Sequence, residues 1–530
     1  MNSIIKENIF FKNKLLIVLL LFIYILLLLP FLGNIAFDAV VHFVVAERFA
    51  EGHPFLYNIN DTETVIASTS PFWTIFLTFF YYFTGQFAPL IVKSICILLW
   101  LSSGYLLNIA ARDIWRMKDF TRYAVLFMWF ANISIVKNSL GGLENILSAF
   151  QLLLLYYYLW KNLYVANYKS DFIIGILLGL TILTRLDAGT LALIIVFVYL
   201  TAKRLALKYN FIKSLLIIVL ISLVVLLPWY LYQYSYTAKI LSDSSVARLF
   251  TGRRNSIDIF NGLLYFHPNA FTILGTAFLP FSIGFLFSMY LSLKSKFKEF
   301  NANFHAISCL VIVICSVLAY SFIVGADQFG RYFLITISFF LLAGFNGLQS
   351  IHSALKAKNI KYSNILVSSV IIFLLLTNAY DYFQRVINIG QLESNIYEIF
   401  YAPSKRIEVT ANTFQKLGID TNQTIKLAIT EVQFKYFVDE RINVISLDGR
   451  SSSKILNYMN KNGLPDFERF IEDEKPDIVE VKGWPYKGNL LYSWEEKLKG
   501  MKIGESFFWK NNKITYVTPW HVKILYNFNK

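Results

Sequence analysis

Several stretches of the chain are apolar on every face of a helix. A helix on the surface of a soluble core buries only one stripe of its surface, so it carries a polar residue every third or fourth position. Four stretches lack that polar stripe, namely residues 15–32, 215–229, 307–324 and 367–377. The pattern predicts that these stretches are membrane spans or large parts of spans.

The composition supports a membrane protein. Of the 530 residues, 56% are hydrophobic and 16% are charged, which is more apolar surface than one soluble core can bury. The net charge is +15, but the basic residues are scattered between apolar stretches, so nucleic-acid binding is not predicted. The cysteines, Cys96, Cys309 and Cys315, lie in apolar runs and indicate neither a disulfide framework nor a metal cluster.

The basic connectors predict the orientation, because such connectors stay in the cytoplasm. They favour eleven crossings with the N-terminus inside and the C-terminus outside, at 14–33, 87–111, 121–139, 143–160, 172–185, 188–202, 212–234, 269–293, 305–325, 332–351 and 363–382. The first is interpreted as a retained span rather than a cleaved signal peptide. Residues 70–85 are predicted to be a helix at the outer interface, so that residues 34–86 form one external loop.

The character of the chain changes after residue 382. Short β-rich runs, "IKLAIT", "INVISL", "PDIVEV" and "KITYVTP", alternate with charged helical stretches. The sequence therefore predicts a transmembrane domain over residues 1–382 and a small extracytoplasmic α/β domain over residues 383–530.

This topology places many polar residues on the external side of the membrane. They are Asp38, His42, Glu47, Arg48, Glu144, Arg185, Asp187, Lys239, Arg248, Arg253, Arg254, Asp327 and Arg331. Ionisable groups near hydrocarbon are costly unless they pair or line a cavity. A polar cavity at the outer leaflet is the simplest explanation of this one-sided distribution.

Two acids in this set are candidates for catalysis. Asp38 and His42 are four residues apart and share a face if residues 37–51 are helical. Glu144 follows Gly141 and Gly142, which allow a sharp turn. Two carboxylates on different helices are the minimum for a general base with an electrostatic helper.

The external location restricts the substrate. Nucleotides do not reach that side of a bacterial membrane at useful concentration, so an activated sugar would arrive on a polyprenyl phosphate. When the sugar is transferred, the polyprenyl phosphate is the leaving group. Arginine suits this phosphate because its planar guanidinium binds two oxygens and stays charged when desolvated. The candidate phosphate-binding residues are Arg331, Arg185, Arg253 and Arg254, with Lys239 as a further cation.

Structural alternatives exist for each of these residues. Asp38 could only cap a helix, and Glu144 could be the N-cap or first-turn acid of its own span. Arg185 and Asp187 could neutralise each other at a tight turn, and His42 could form a polar wall. An Asp/His pair without a third ligand does not make a metal site, so none is predicted.

Several motifs resemble a known family. The run "FDAVVHFVVAERFAEGHPFLYNINDTETVIASTSPFW" looks like the opening loop of the GT-C membrane glycosyltransferases, in particular the bacterial branch that includes terminal arabinofuranosyltransferases. "GGLENILSAF", "GLTILTRLD" and "GRYF" resemble later elements of that family in the same order, and "PDIVEV" is similar to its external domain. The resemblance implies a GT-C fold, a polyprenyl-phosphate sugar donor and Asp38 as general base.

The sequence thus predicts a glycosyltransferase of the bacterial cytoplasmic membrane with an extracytoplasmic active site. It would move a monosaccharide, with inversion, from a polyprenyl-phosphate carrier to an envelope glycan or lipid acceptor. Asp38 and Glu144 are the predicted catalytic residues, and the predicted substrate-binding residues are His42, Arg48, Tyr57, Asn58 and Asp187. No cofactor is required by this chemistry, and a divalent metal stays an open alternative. Rival hypotheses are a flippase for lipid-linked sugars and a non-catalytic envelope scaffold.

Overall fold

The computed structural model describes most of the first 246 residues and parts of the remainder. The described residues are 33–61, 63–243, 245–246, 283–287, 290, 304–319, 329–358, 369–370, 372–373, 376, 394–417, 420, 423–429, 432–447, 454–458, 466–479, 506–509 and 512–515. The predicted spans at 14–33 and, for most of their length, at 269–293 and 363–382 lie outside them.

Helices dominate the part of the chain before residue 358. In chain order they are α1 (Phe37–Ala50), α2 (Pro71–Thr84), α3 (Ala88–Ile109), α4 (Asp119–Ala131), α5 (Ile133–Leu140), α6 (Asn145–Lys161), α7 (Tyr168–Thr184), α8 (Leu186–Leu207), α9 (Phe211–Thr237), α10 (Phe304–Ala319) and α11 (Phe329–Ala357). Strand β1 (Asn34–Ile35) precedes α1. The helix predicted over residues 37–51 is confirmed as α1.

Four stretches of the described chain are long and apolar enough to cross a membrane. They have a mean hydropathy of 1.6 to 2.7 and are Pro71–Ile114, Leu186–Leu207, Phe211–Thr237 and Leu334–Ala357. The first contains two helices, because Gly85 adopts a positive φ of 53° and ends α2 before α3 begins. Pro71 starts α2 at a position where a missing backbone N–H costs nothing.

The segment predicted as one span at 121–139 is two helices in the structure. Asn132 separates α4 from α5, and its side chain accepts a hydrogen bond from the backbone N–H of Ile135 at 3.1 Å. An Asn side chain that caps a new helix competes with continuation of the previous one. The pair predicted at 172–202 is confirmed as α7 and α8, which are joined through the single extended residue Arg185.

The tail after residue 393 contains both strands and helices. Strand β2 (Ser394–Asn395) leads into α12 (Ile396–Leu417), followed by β3 (Ile425–Ile429), β4 (Ile442–Ser446), α13 (Phe467–Glu474), β5 (Ile478–Val479), β6 (Ser506–Trp509) and β7 (Asn512–Thr515). β3 lies between β4 and β5 in a parallel sheet, and β6 pairs with β7 in antiparallel orientation. Strands therefore occur in each of the four runs that the sequence marked as β-rich.

The tail packs directly on the helical part. β1 pairs with β2 in antiparallel orientation, with Asn34 opposite Asn395. One hydrophobic core contains Phe43 of α1, Trp129 of α4, Tyr156 of α6 and Tyr436 of the tail, all of them buried. Helix α1 therefore lies between the apolar helices and the tail.

Candidate functional site

The polar residues of α1, α6 and the α7–α8 junction meet in one place, which we call the Glu144 cluster (His42, Ser68, Glu144, Asn145, Arg185 and Asp187). Its members come from four separate segments of the chain. His42 lies within α1, Glu144, Asn145, Arg185 and Asp187 lie at the starts of α6 and α8, and Ser68 lies in the segment before α2.

Arg185 is the centre of the Glu144 cluster. Its Nη1 donates to Glu144 Oε1 and to Asn145 Oδ1, both at 2.7 Å. Its Nε and Nη2 donate to the two oxygens of Asp187 at 2.9 and 2.8 Å. Only 9% of Arg185 is exposed, so the guanidinium binds two carboxylates in surroundings where charge–charge interactions are strong.

His42 connects α1 to this centre. Its Nε2 lies 3.5 Å from Glu144 Oε2, and its Nδ1 lies 3.1 Å from the hydroxyl of Ser68. The hydroxyl of Thr74, at the start of α2, donates to the Ser68 oxygen at 2.8 Å. The imidazole therefore bridges α6 and the segment that precedes α2.

Asp38 lies one helical turn before His42 on the same face of α1 and is half-buried. Ala36 occupies the N-cap position of α1, so Asp38 is a first-turn acid and not the cap. Glu144 does occupy the N-cap position of α6, but its side chain makes no capping bond and reaches Arg185 instead. The predicted N-cap position of Glu144 is therefore confirmed, but its side chain makes no capping hydrogen bond.

Two glycines allow α1 to approach Glu144. Gly142 adopts a φ of 82°, which places the turn before Glu144 in a conformation that favours glycine. The carbonyl of Gly141 accepts a hydrogen bond from the N–H of Ala36 at 2.9 Å. A Cβ at Gly141 would lie 3.2 Å from the Cβ of Ala36, so a larger residue would push the start of α1 away.

Lys93 was not singled out by the sequence analysis, although it belongs to this region. Its buried ammonium group, in the second turn of the apolar helix α3, donates to the carbonyls of Asn34 and Leu140. It therefore joins the residues before α1 to those before the Gly141 turn. A lysine within an apolar helix was an available signal, because such residues are seldom without a partner or a role.

Other predicted substrate-binding residues lie elsewhere. Arg48 pairs with Glu51 and Glu440, Asn58 bonds the backbone of Val444, and Tyr57 is buried. The printed partners of Arg48 and Asn58 therefore include residues of the tail and none of the Glu144 cluster.

The predicted phosphate-binding cations are only partly described. Lys239 pairs with Asp243 at 2.9 Å. Arg331 lies in α11 with its side chain outside the described residues, and Arg253 and Arg254 are outside them entirely. Of the predicted phosphate-binding arginines, the structure therefore describes the side chain of Arg185 alone.

The charged groups of this region suit acid–base chemistry. Among the described side chains, the carboxylates of Glu144 and Asp187 contact the cation Arg185, and Asp38 lies one turn before His42. A carboxylate in a buried position can accept a proton or stabilise a developing positive charge. Among the described residues, no group of three or more His, Cys, Asp or Glu side chains is arranged to hold a metal ion.

Comparisons with known proteins give a structural likeness without a sequence match. No protein-family model and no curated protein matches the chain. ArnT from Cupriavidus metallidurans in the apo state has a TM-score of 0.52 at 13% identity, over 87% of this chain and 91% of ArnT. The same protein bound to undecaprenyl phosphate has a TM-score of 0.52 at 12% identity, over 86% and 90%. The Archaeoglobus fulgidus oligosaccharyltransferase, in complex with zinc and sulfate, has a TM-score of 0.42 at 13% identity, over 78% and 58%.

Proposed function

Because the chain has the GT-C fold, we propose that it is a membrane glycosyltransferase that takes a monosaccharide from a polyprenyl-phosphate carrier. The observation that carries the proposal is the acid-rich Glu144 cluster beside Asp38, in a chain with the fold of ArnT. One ArnT structure is bound to undecaprenyl phosphate, which supports a polyprenyl-phosphate donor. The acceptor is a hydroxyl of an envelope glycan or lipid.

In the proposed reaction Asp38 is the general base. Its carboxylate takes the proton of the acceptor hydroxyl while that oxygen bonds to the anomeric carbon. The bond from this carbon to the phosphate oxygen breaks, and the phosphate leaves with the electron pair. Attack from the face opposite the phosphate inverts the anomeric carbon. The transition state carries positive charge on the sugar ring, which nearby carboxylates stabilise.

The cluster residues have supporting roles in this proposal. Glu144 supplies negative charge near the sugar, and His42 orients it through the 3.5 Å contact. Arg185 holds Glu144 and Asp187 in place through hydrogen bonds to both carboxylates, and its positive charge is proposed to face the leaving phosphate. Arg331, Arg253 and Arg254 are proposed to bind that phosphate.

We further propose eleven crossings with the N-terminus inside, the tail outside and the site on the extracytoplasmic face of a bacterial cytoplasmic membrane. Cysteine labelling tests the orientation, with an impermeant thiol reagent on intact cells. A cysteine replacing the exposed Asn60 should react, and one replacing the exposed Tyr164 should react only after permeabilisation. The opposite pattern would overturn the orientation.

The reaction is tested by transfer of radiolabelled sugar from a panel of polyprenyl-phosphate donors, in membranes with equal amounts of folded protein. The wild type should consume one donor, and Asp38→Asn should lower the rate by about 10²- to 10⁴-fold, which is the usual contribution of a general base. Asp119→Asn is the matched control, because the Asp119 side chain is 77% exposed and lies in the first turn of α4. Consumption of no donor by the wild type would overturn the proposal and favour the flippase or scaffold hypotheses, and equal rates for Asp38→Asn would exclude Asp38 as the base.

A further inference from the structure

Helix α1 carries polar residues on two opposite faces. His42 contacts Glu144, and Asp38 lies one turn before it on the same face of the helix. Glu47 is nine residues after Asp38, which at about 100° per residue places it on the opposite face of the helix. The ionisable residues at the two ends of α1 therefore point to different parts of the molecule.

The second face of α1 is bound by the tail. Glu47 Oε2 accepts a hydrogen bond from Arg406 Nη2 at 2.6 Å, with 13% and 15% of the two side chains exposed. The Nε of Arg406, in α12, also donates to the carbonyl of Tyr436 at 2.9 Å. The next residue of α1, Arg48, pairs with Glu440. Glu47 and Arg48 thus each form an ion pair with a residue of the tail.

Glu440 is itself held by the tail. The buried ammonium of Lys435 lies 3.0 Å from its carboxylate and also donates to the carbonyls of Asp439 and Ile442, at 3.2 and 3.0 Å. Contacts within the tail therefore hold the carboxylate that pairs with Arg48, and this fixes where Arg48 can bind.

The segment that follows α1 also binds the tail. The side chain of Asn58 donates to the carbonyl of Val444 at 3.0 Å and accepts from its N–H at 2.9 Å. It thus occupies the edge of β4 as a neighbouring strand would. Asp61 accepts from Asn443 at 3.1 Å, and the hydroxyls of Tyr81 and Tyr436 lie 3.1 Å apart in the core.

We propose that the tail positions α1, so that the contacts of Glu47 and Arg48 with Arg406 and Glu440 set the location of Asp38 and His42 relative to Glu144. The inference rests on the proposed glycosyl transfer. It makes these four residues positioning residues, which act on the reaction through α1. A rigid helix of 14 residues, about 21 Å long, carries a displacement at one end to the other.

The test compares charge-removing and charge-exchanging variants. Glu47→Gln and Arg406→Gln should each lower kcat per folded molecule by about 10- to 100-fold, because a displacement of about 1 Å has effects of that size. The KM for the polyprenyl-phosphate donor should stay within about twofold. The double variant Glu47→Arg with Arg406→Glu should recover most of kcat, since it restores the ion pair in reverse.

The matched control is a salt bridge in the tail that does not touch α1. Arg469 and Asp473 of α13 are 3.6 Å apart, with 72% and 52% of their side chains exposed. The exchange of these two residues should leave kcat and KM unchanged.

The outcomes separate the two proposals. A wild type that consumes no donor overturns the proposed function. An active wild type whose single variants give less folded protein but an unchanged kcat per folded molecule overturns the positioning role alone, and so does a rise in KM at constant kcat.

Discussion

Two buried ionic clusters lie at the opposite ends of the α7–α8 pair, about 21 Å apart along α7. The Glu144 cluster is at the junction between the helices. The second, the Asp171 cluster (Ser170, Asp171, Tyr199, Lys203, Tyr209 and Ser214), is at their other ends. Both combine charged and neutral polar side chains in buried positions, but they differ in how far they are exposed to solvent.

The Asp171 cluster is closed and balanced. Asp171 accepts hydrogen bonds from Lys203, Tyr209 and Ser214 at 3.4, 3.1 and 2.7 Å, and neither Asp171 nor Lys203 is exposed. The Lys203 ammonium also lies 4.1 Å from the centre of the Tyr209 ring. One carboxylate and one ammonium neutralise each other, which is the arrangement expected of a structural pair.

The Glu144 cluster differs in two respects among the described side chains. Two carboxylates share the single cation Arg185, and 26% of the Asp187 side chain is exposed, so this cluster opens to solvent. We therefore propose that the Asp171 cluster acts on stability alone and that the Glu144 cluster also acts in the reaction.

Removal of the shared cation should have the largest effect. Arg185→Gln removes the cation that Glu144 and Asp187 share, so we expect the free energy of unfolding to fall by about 3–5 kcal/mol and transfer to fall at least about 100-fold. Arg185→Lys keeps the charge but cannot bind Asp187 in two places, so it should be intermediate. Denaturation in detergent and transfer per folded molecule measure the two effects. Wild-type transfer by Arg185→Gln would show that the cluster is structural.

Substitutions in the Asp171 cluster should lower the free energy of unfolding without lowering the rate of transfer. Lys203→Met leaves a buried carboxylate unpaired and should lower the free energy of unfolding by about 3 kcal/mol, while kcat per folded molecule stays within about twofold. The double variant Asp171→Asn with Lys203→Met should recover most of that stability. A loss of kcat in the folded double variant would contradict the distinction between the clusters.

A smaller effect is expected from the turn before Glu144. Gly142→Ala places a side chain at a φ of 82° and should lower the free energy of unfolding by about 1–2 kcal/mol. It should also lower transfer by about tenfold, because the turn sets the distance between α1 and Glu144. Gly52→Ala is the matched control, with a φ of 85° and no atom near the added Cβ. Equal rates of transfer by the two variants would show that Gly142 does not set the geometry of the site.

The smallest effect concerns Lys435, a buried charge outside both clusters. Burial lowers the pKa of Lys435 to about 8, against the opposing influence of Glu440. The unfolded chain then binds more protons than the folded one between pH 8 and the ordinary lysine pKa of 10.5, so the free energy of unfolding should rise with pH in this window. Lys435→Met should lack that rise, and parallel unfolding midpoints for the two proteins from pH 8 to 10 would contradict the assignment.

The motifs predicted a fold that the comparison with ArnT confirms, and local patterns predicted several of its helices. The hairpin at 172–202 and the helix over residues 37–51 follow from apolar runs bounded by polar residues and glycines. The break at Asn132 was missed, because an Asn among apolar residues resembles a tolerated polar residue until its capping bond is seen.

The candidate site was predicted in part. Asp38, His42, Glu144, Arg185 and Asp187 were named from the sequence, and the structure brings His42, Glu144, Arg185 and Asp187 into contact. Lys93 and the tail partners of α1 were not named, since their contacts join residues tens to hundreds of positions apart.

The sequence by itself determined which segments are apolar, where several helices begin and end, and which helix ends carry acids and arginines, because these depend on neighbours within a few residues. Only the tertiary structure decided that Arg185 meets Glu144, 41 residues away, and that Arg406 meets Glu47, 359 residues away. Such pairs depend on how helices and strands pack, and several arrangements satisfy the same local pattern. The distinction that we propose between the two clusters arises at that level, since it depends on the partners that each buried group contacts.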